Sequence, residues 1–105
     1  MPAYVVSMMS IHDPKTYKKY TDRTPPIVKR YGGKFLTRGT EVTTLEGEPY
    51  QDRMVILEFS SKQSVLDWMA DTEYQDAMTF RHASSEARIL LQEGDNDSYD
   101  PDPKL

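Results

Sequence analysis

Four stretches of the chain alternate or run apolar with the period of a strand, and two carry the spacing of a helix. AYVVSMMSI, Ala3 to Ile11, presents Ala3, Val5, Ser7, Met9 and Ile11 on one face and Tyr4, Val6, Met8 and Ser10 on the other, as a strand would. Asp13-Pro14 then reads as an N-cap followed by proline at the first helical position. Tyr17, Tyr20, Thr24, Ile27, Val28 and Tyr31 follow as a helical stripe. Pro25-Pro26 predicts a kink or short break within it, and Gly32-Gly33 supplies a left-handed end. KFLTRG, Lys34 to Gly39, predicts a second strand, continued after a glycine bulge by an extended arm over Glu41–Gly47. Gly47 to Gln51 reads as a loop, and RMVILEF, Arg53 to Phe59, as the third strand.

Ser60 with Gln63 predicts a capping box for a second helix that buries Val65, Trp68 and Met69. Thr72 with Gln75 restarts it, with Tyr74, Ala77, Met78 and Arg81 on one side. Ala87 to Gly94 is the fourth strand. Residues 95–105 form an acidic Pro/Asp-rich tail beyond a domain of residues 1–94. The order βαββαβ predicts an α+β, ferredoxin-like antiparallel sheet with both helices on one face. Two helices cover only one face, yet the second face carries Tyr4, Val6, Met8, Met54 and Ile56. An apolar patch of that size calls for a cover. A homodimer packed sheet to sheet, a dimeric α/β barrel, meets the need. The alternative is that the tail or the Glu41–Gln51 arm folds back over the sheet.

Composition narrows the chemistry. A chain of 105 residues suits one domain. The absence of Cys removes disulfides, thiolate metal sites and cysteine nucleophiles. The net charge of -4 sits largely in the tail, and no basic stripe favours nucleic acid or an anionic membrane. No apolar stretch approaches the roughly 18 residues of a membrane span. The N-terminus lacks a basic n-region and a cleavage site before His12, so a cytoplasmic location is expected. No phosphate loop, nucleotide fingerprint or serine-hydrolase context is present, and His12 and His82 are not spaced as a metal pair. No metal or cofactor is expected.

MPAYVV, HDPKTYKKY, YGGKFLTRG, RMVILEF, Trp68 and TEYQDAMTFR together resemble the family of domains of unknown function numbered 1330, over residues 1 to about 94. The resemblance implies a βαββαβ protomer and a homodimer with a central barrel, and no established activity. Met8 stands where many relatives place an acidic residue, which makes this barrel interior more apolar.

Glu58 is the polar residue on a strand that is otherwise apolar on both faces. With Met54 and Ile56 it is assigned to the barrel interior, where Arg38 or Lys34 from the neighbouring strand is expected beside it. Glu58, Arg38 and His82 form the candidate acid/base set. Arg81, Trp68, Tyr4, Met8 and Ile56 form the candidate small-molecule-binding set. The competing readings are a structural ion pair at Glu58, an Arg81 whose stem merely packs on the core, and aromatic residues that are only core. At the level of the protein these become three hypotheses: a cofactor-independent enzyme acting on a small apolar or aromatic molecule, a non-catalytic metabolite-binding module, and a purely structural dimer. Tyr99 and Leu105 are expected to dock the tail.

Overall fold

In a computed structural model, which describes residues 1–95 and 101–102, seven elements follow one another. They are β1 (Ala3–Ile11), α1 (Pro14–Arg30), β2 (Lys34–Arg38), β3 (Arg53–Phe59), α2 (Lys62–Ala70), α3 (Thr72–Ser84) and β4 (Ser85–Glu93). The strands form one antiparallel sheet in the order β2-β3-β1-β4. The expected α+β architecture is present, with the second helix divided into α2 and α3. The expected docking of Tyr99 and Leu105 lies outside the described residues. Among the described residues, no helix is long and apolar enough to cross a membrane.

Local chemistry explains most boundaries. Asp13 caps α1 by accepting from the Thr16 N–H at 3.2 Å, with Pro14 in the first turn. At the other end Gly32 adopts φ +77°, donates to the Lys29 carbonyl, and lets Gly33 donate to Val28. This is the paired 5→2 and 6→1 closure that ends many helices, and it needs a left-handed residue at Gly32.

Four expectations need correction. Helix α1 runs unbroken through Pro25-Pro26, because Thr24, Ile27 and Val28 on either side are buried against the sheet and hold the turn where two donors are missing. The cap of α2 is Ser61, not Ser60, and accepts from the Ser64 N–H. Asp71, not Thr72, caps α3 by accepting from the Tyr74 N–H at 2.9 Å. Residues 41–47 do not extend β2. The sheet irregularity falls between Phe35 and Thr37, and the loop closes on itself through Tyr50 N–H to Thr44 Oγ1.

The core lies between the helices and one face of the sheet. Ala3, Val5, Met9, Val55, Leu57 and Phe59 are buried beneath Tyr17, Ile27, Val28, Val65, Trp68 and Tyr74. Trp68 stacks between Phe59 and Tyr74, with ring centroids at 5.2 and 4.4 Å. The other face carries three rows across the strands. One is Lys34, Glu58, Tyr4 and Gln92. The next is Thr37, Ile56, Val6 and Leu90, and the last is Met54, Met8 and Arg88.

Candidate functional site

Alternation along β1 and β3 sends odd-numbered residues toward the helices. Most are apolar, but Ser7 on β1 and Arg53 on β3 are not. From above, α1 contributes Thr24, Thr21, Tyr20 and Tyr17 to the same region. Polar and small side chains here fill the core incompletely. They leave a cavity of about 30 Å³, lined by Ser7, Tyr17, Tyr20, Thr21, Thr24, Phe35, Arg38, Arg53 and Trp68 with apolar neighbours. That is room for a water or two. Tyr17, Thr21, Arg38 and Arg53 also line an outer cleft of about 460 Å³, shared with Ile11, Pro14, Lys18 and Asp22. The four common residues are therefore the threshold between chamber and cleft. The cleft falls in the size range of small-molecule sites.

The bulge in β2 decides which cations stand there. Phe35 pairs with Leu57, but Thr37 then pairs with Ile56 and Arg38 with Val55. One extra residue shifts every later side chain to the opposite face. Arg38 thereby joins Arg53 on the helix side. The Arg38 guanidinium lies 4.2 Å from the Phe35 ring centroid, and that of Arg53 lies 5.7 Å from the Tyr17 ring. Gly39, at φ +80°, makes the seat for Arg53: a Cβ there would collide with the guanidinium. Arg53 Nε is buried without a hydrogen-bond acceptor, and so is Trp68 Nε1.

The tyrosines around the chamber keep their protons. Burial pushes the Tyr17 hydroxyl upward, opposed by the Arg53 charge. Burial and the neighbouring Tyr74 push Tyr20 well above the usual phenol range. Burial raises Tyr74 as well. Tyr20 and Tyr74 share a hydrogen bond of 2.8 Å, and Tyr17 donates to Met9 Sδ at 3.3 Å. The chamber thus offers hydroxyl donors, an indole N–H and guanidinium groups. Among the described residues, no carboxylate lines it.

The residues singled out from sequence are distributed over three places. Tyr4, Met8, Ile56 and Glu58 lie half-buried on the open face. Lys34, not Arg38, is the cross-strand partner of Glu58, and among the described residues Glu58 makes no ion pair. The expected neighbourhood of Glu58 and Arg38 is corrected by the bulge, which puts them on opposite faces. His82 is exposed on α3 and lines neither cavity. Arg81 is buried, its guanidinium 5.5 Å from the Tyr20 ring centroid, and lines neither cavity. Trp68 alone of the candidate binding set, with Arg38 of the acid/base set, reaches the chamber. Ser7, Thr24, Gly39 and Arg53 are not among the sequence candidates, and Tyr17 reads from sequence first as core, as one of three tyrosines whose hydroxyl could face a cavity. The signal available was a polar residue at a core-facing position. Among the described residues, no three His, Cys, Asp or Glu side chains cluster as metal ligands would.

The chain belongs to the family Domain of unknown function (DUF1330), which matches residues 2–95. No curated protein matches it by sequence. Its fold is similar to that of a protein of unknown function from Rhodopseudomonas palustris, at TM-score 0.77 and 19% identity, covering 91% of this chain and 84% of that one. It is also similar to SnoaB, a cofactor-independent oxygenase from Streptomyces nogalater, at TM-score 0.62 and 17% identity, covering 94% and 98%. A third similar structure is a dimeric protein of unknown function and ferredoxin-like fold from Bacteroides fragilis, at TM-score 0.60 and 10% identity, covering 89% and 96%.

Proposed function

We propose that this member of the family binds a small apolar or aromatic molecule on the helix side of its sheet and acts on it without a cofactor. The observation that carries this reading is that an inner chamber and an outer cleft of ligand size share Tyr17, Thr21, Arg38 and Arg53 in their walls. The body of the ligand occupies the cleft, and a polar atom reaches the chamber. Protonated tyrosine hydroxyls and guanidinium groups stabilise negative charge developing on that atom, as an oxyanion site does. The fold of SnoaB is compatible with such chemistry, as an analogy of fold only. In this reading Arg38 acts from the helix side, and Glu58 is a polar position of the opposite face.

That opposite face is assigned to a second copy of the chain. Met8, Val6, Ile56, Met54 and Leu90 are only partly buried within one chain, and Leu90 is 48% exposed. A copy packed sheet to sheet removes this apolar area from water. The described dimeric relative of the same fold supports the arrangement.

Thermal denaturation in the presence of pooled small-molecule metabolites tests the binding site, because a ligand that favours the folded state raises Tm. The expected result is a rise for the unaltered chain that disappears in Thr24→Leu, which fills the chamber. No rise, or the same rise in both proteins, would count against the site.

A further inference from the structure

The threshold arginines differ from several basic residues around them, and share with the buried Arg81, whose Nε is also unsatisfied, the lack of an ion pair among the described residues. Lys18, on the rim of the same cleft, pairs with Asp22 at 2.9 Å. Arg23 pairs with Asp76, and Arg30 with Asp71 and Glu73. Among the described residues, Arg38 and Arg53 have no carboxylate partner. Arg53 is moreover held partly buried with an unsatisfied Nε, which is costly unless something completes its hydrogen bonding. The backbone is arranged around this cation: Gly39 takes a left-handed conformation where any Cβ would displace it. Phe35 and Tyr17 lie against the two guanidinium groups, and stacking of this kind leaves their N–H edges available.

Resting on the reading of the chamber and cleft as a small-molecule site, we infer that the ligand carries a carboxylate, received by Arg53 and Arg38 together. A guanidinium offers paired donors that match the two oxygens of a carboxylate. The apolar part of the ligand then lies in the cleft against Ile11, Pro14 and Tyr17. Asp22 is the acidic group on that cleft wall and is neutralised by Lys18, so the rim does not repel an anion strongly. The substrate class is a small aryl or arylalkyl carboxylic acid.

Trp68 is the single tryptophan and lines the chamber, so its fluorescence reports occupancy without a label. Phenylacetate and its neutral isostere phenylacetamide are titrated separately into the full chain. Phenylacetate is expected to perturb the emission saturably and to bind about 10- to 100-fold more tightly than the amide, the range for charged hydrogen bonds. Arg53→Gln and Arg38→Gln should each reduce that preference. Gly39→Ala should do the same while both arginines remain. Arg38 is exposed, so its variant keeps the test valid even if a change at Arg53 impairs folding. Equal affinity for acid and amide overturns the carboxylate inference and leaves the small-molecule site standing. A preference that survives in Arg53→Gln and Arg38→Gln also overturns it. No response to either probe overturns both the inference and the site reading.

Discussion

The two faces of this sheet are built from the same strands, yet a polar residue has opposite meaning on each. On the open face Glu58 lies in a row with Lys34, Tyr4 and Gln92, so its polarity continues across three strand pairs. On the covered face Ser7, Arg53 and the overlying Thr24 interrupt an apolar core that includes Val5, Val55 and Leu57. Water or a second chain can accommodate the first group. The second must be satisfied inside the fold or leave a cavity. The conspicuous charge on an apolar strand is therefore the weaker functional signal. Less conspicuous hydroxyls and an arginine at core-facing positions mark the chamber.

The largest expected effect separates the faces by stability. Phe59→Ala empties a position that is 1% exposed and stacked on Trp68, and should cost about 3–5 kcal/mol in chemical denaturation. Ile56→Ala, three positions along the same strand and on the open face, should cost far less within a single chain. A comparable loss at both positions would show that the open face is as tightly packed as the core. Ile56→Asp sharpens the contrast differently. If the proposed sheet-to-sheet pairing holds, it should yield a monomer in sedimentation where the unaltered chain is a dimer, while leaving the far-ultraviolet dichroism unchanged, because the charge would meet the partner and not the core. An unchanged mass for that variant would remove the second copy from the open face.

Gly39→Ala should lower stability by about 1–3 kcal/mol, the range for a non-glycine residue held in a left-handed conformation. Gly39 has φ +80°, and a Cβ there would meet the Arg53 guanidinium. Wild-type stability in urea would mean that Arg53 has another equally good seat.

The smallest effect is acid sensitivity away from both faces. Hydrogen bonds from Tyr31 and the Tyr74 N–H, with Arg30 nearby, hold the Asp71 carboxyl below its ordinary value of 3.8. Hydrogen bonds from Thr16 do the same for Asp13. A carboxyl depressed by folding stabilises the native state fully above its unfolded pKa, and that contribution is lost as pH falls through the folded one. Stability should therefore be flat through neutral pH with respect to these groups and decline below about pH 4. Asp71→Asn, which retains a capping side chain, should show a shallower decline of Tm with acid. An identical acid profile would assign the decline to other groups.

The legibility of this chain follows the range of the interactions involved. Strands β1 and β3 were readable in full, because alternation is a property of each backbone alone. The end of α1 was readable because Gly32-Gly33 closes it through local bonds. The caps of α2 and α3 were displaced by one residue, since Ser60-Ser61 and Asp71-Thr72 each offer two competent caps side by side. Membership of the family was likewise carried by the order of short motifs.

Three features were decided by tertiary structure. Pro25-Pro26 remain inside a helix because burial of Thr24, Ile27 and Val28 outweighs the two missing donors. Arg38 came to stand on the face opposite Glu58, because the extra residue between Phe35 and Thr37 exists only through the pairing of β2 with β3. That one-residue shift brings Arg38 to the side of Arg53, Tyr17 and Trp68 and creates the threshold of the chamber. A periodic pattern can be read along one chain segment; the face on which a charge finally stands depends on the register it adopts with its neighbour.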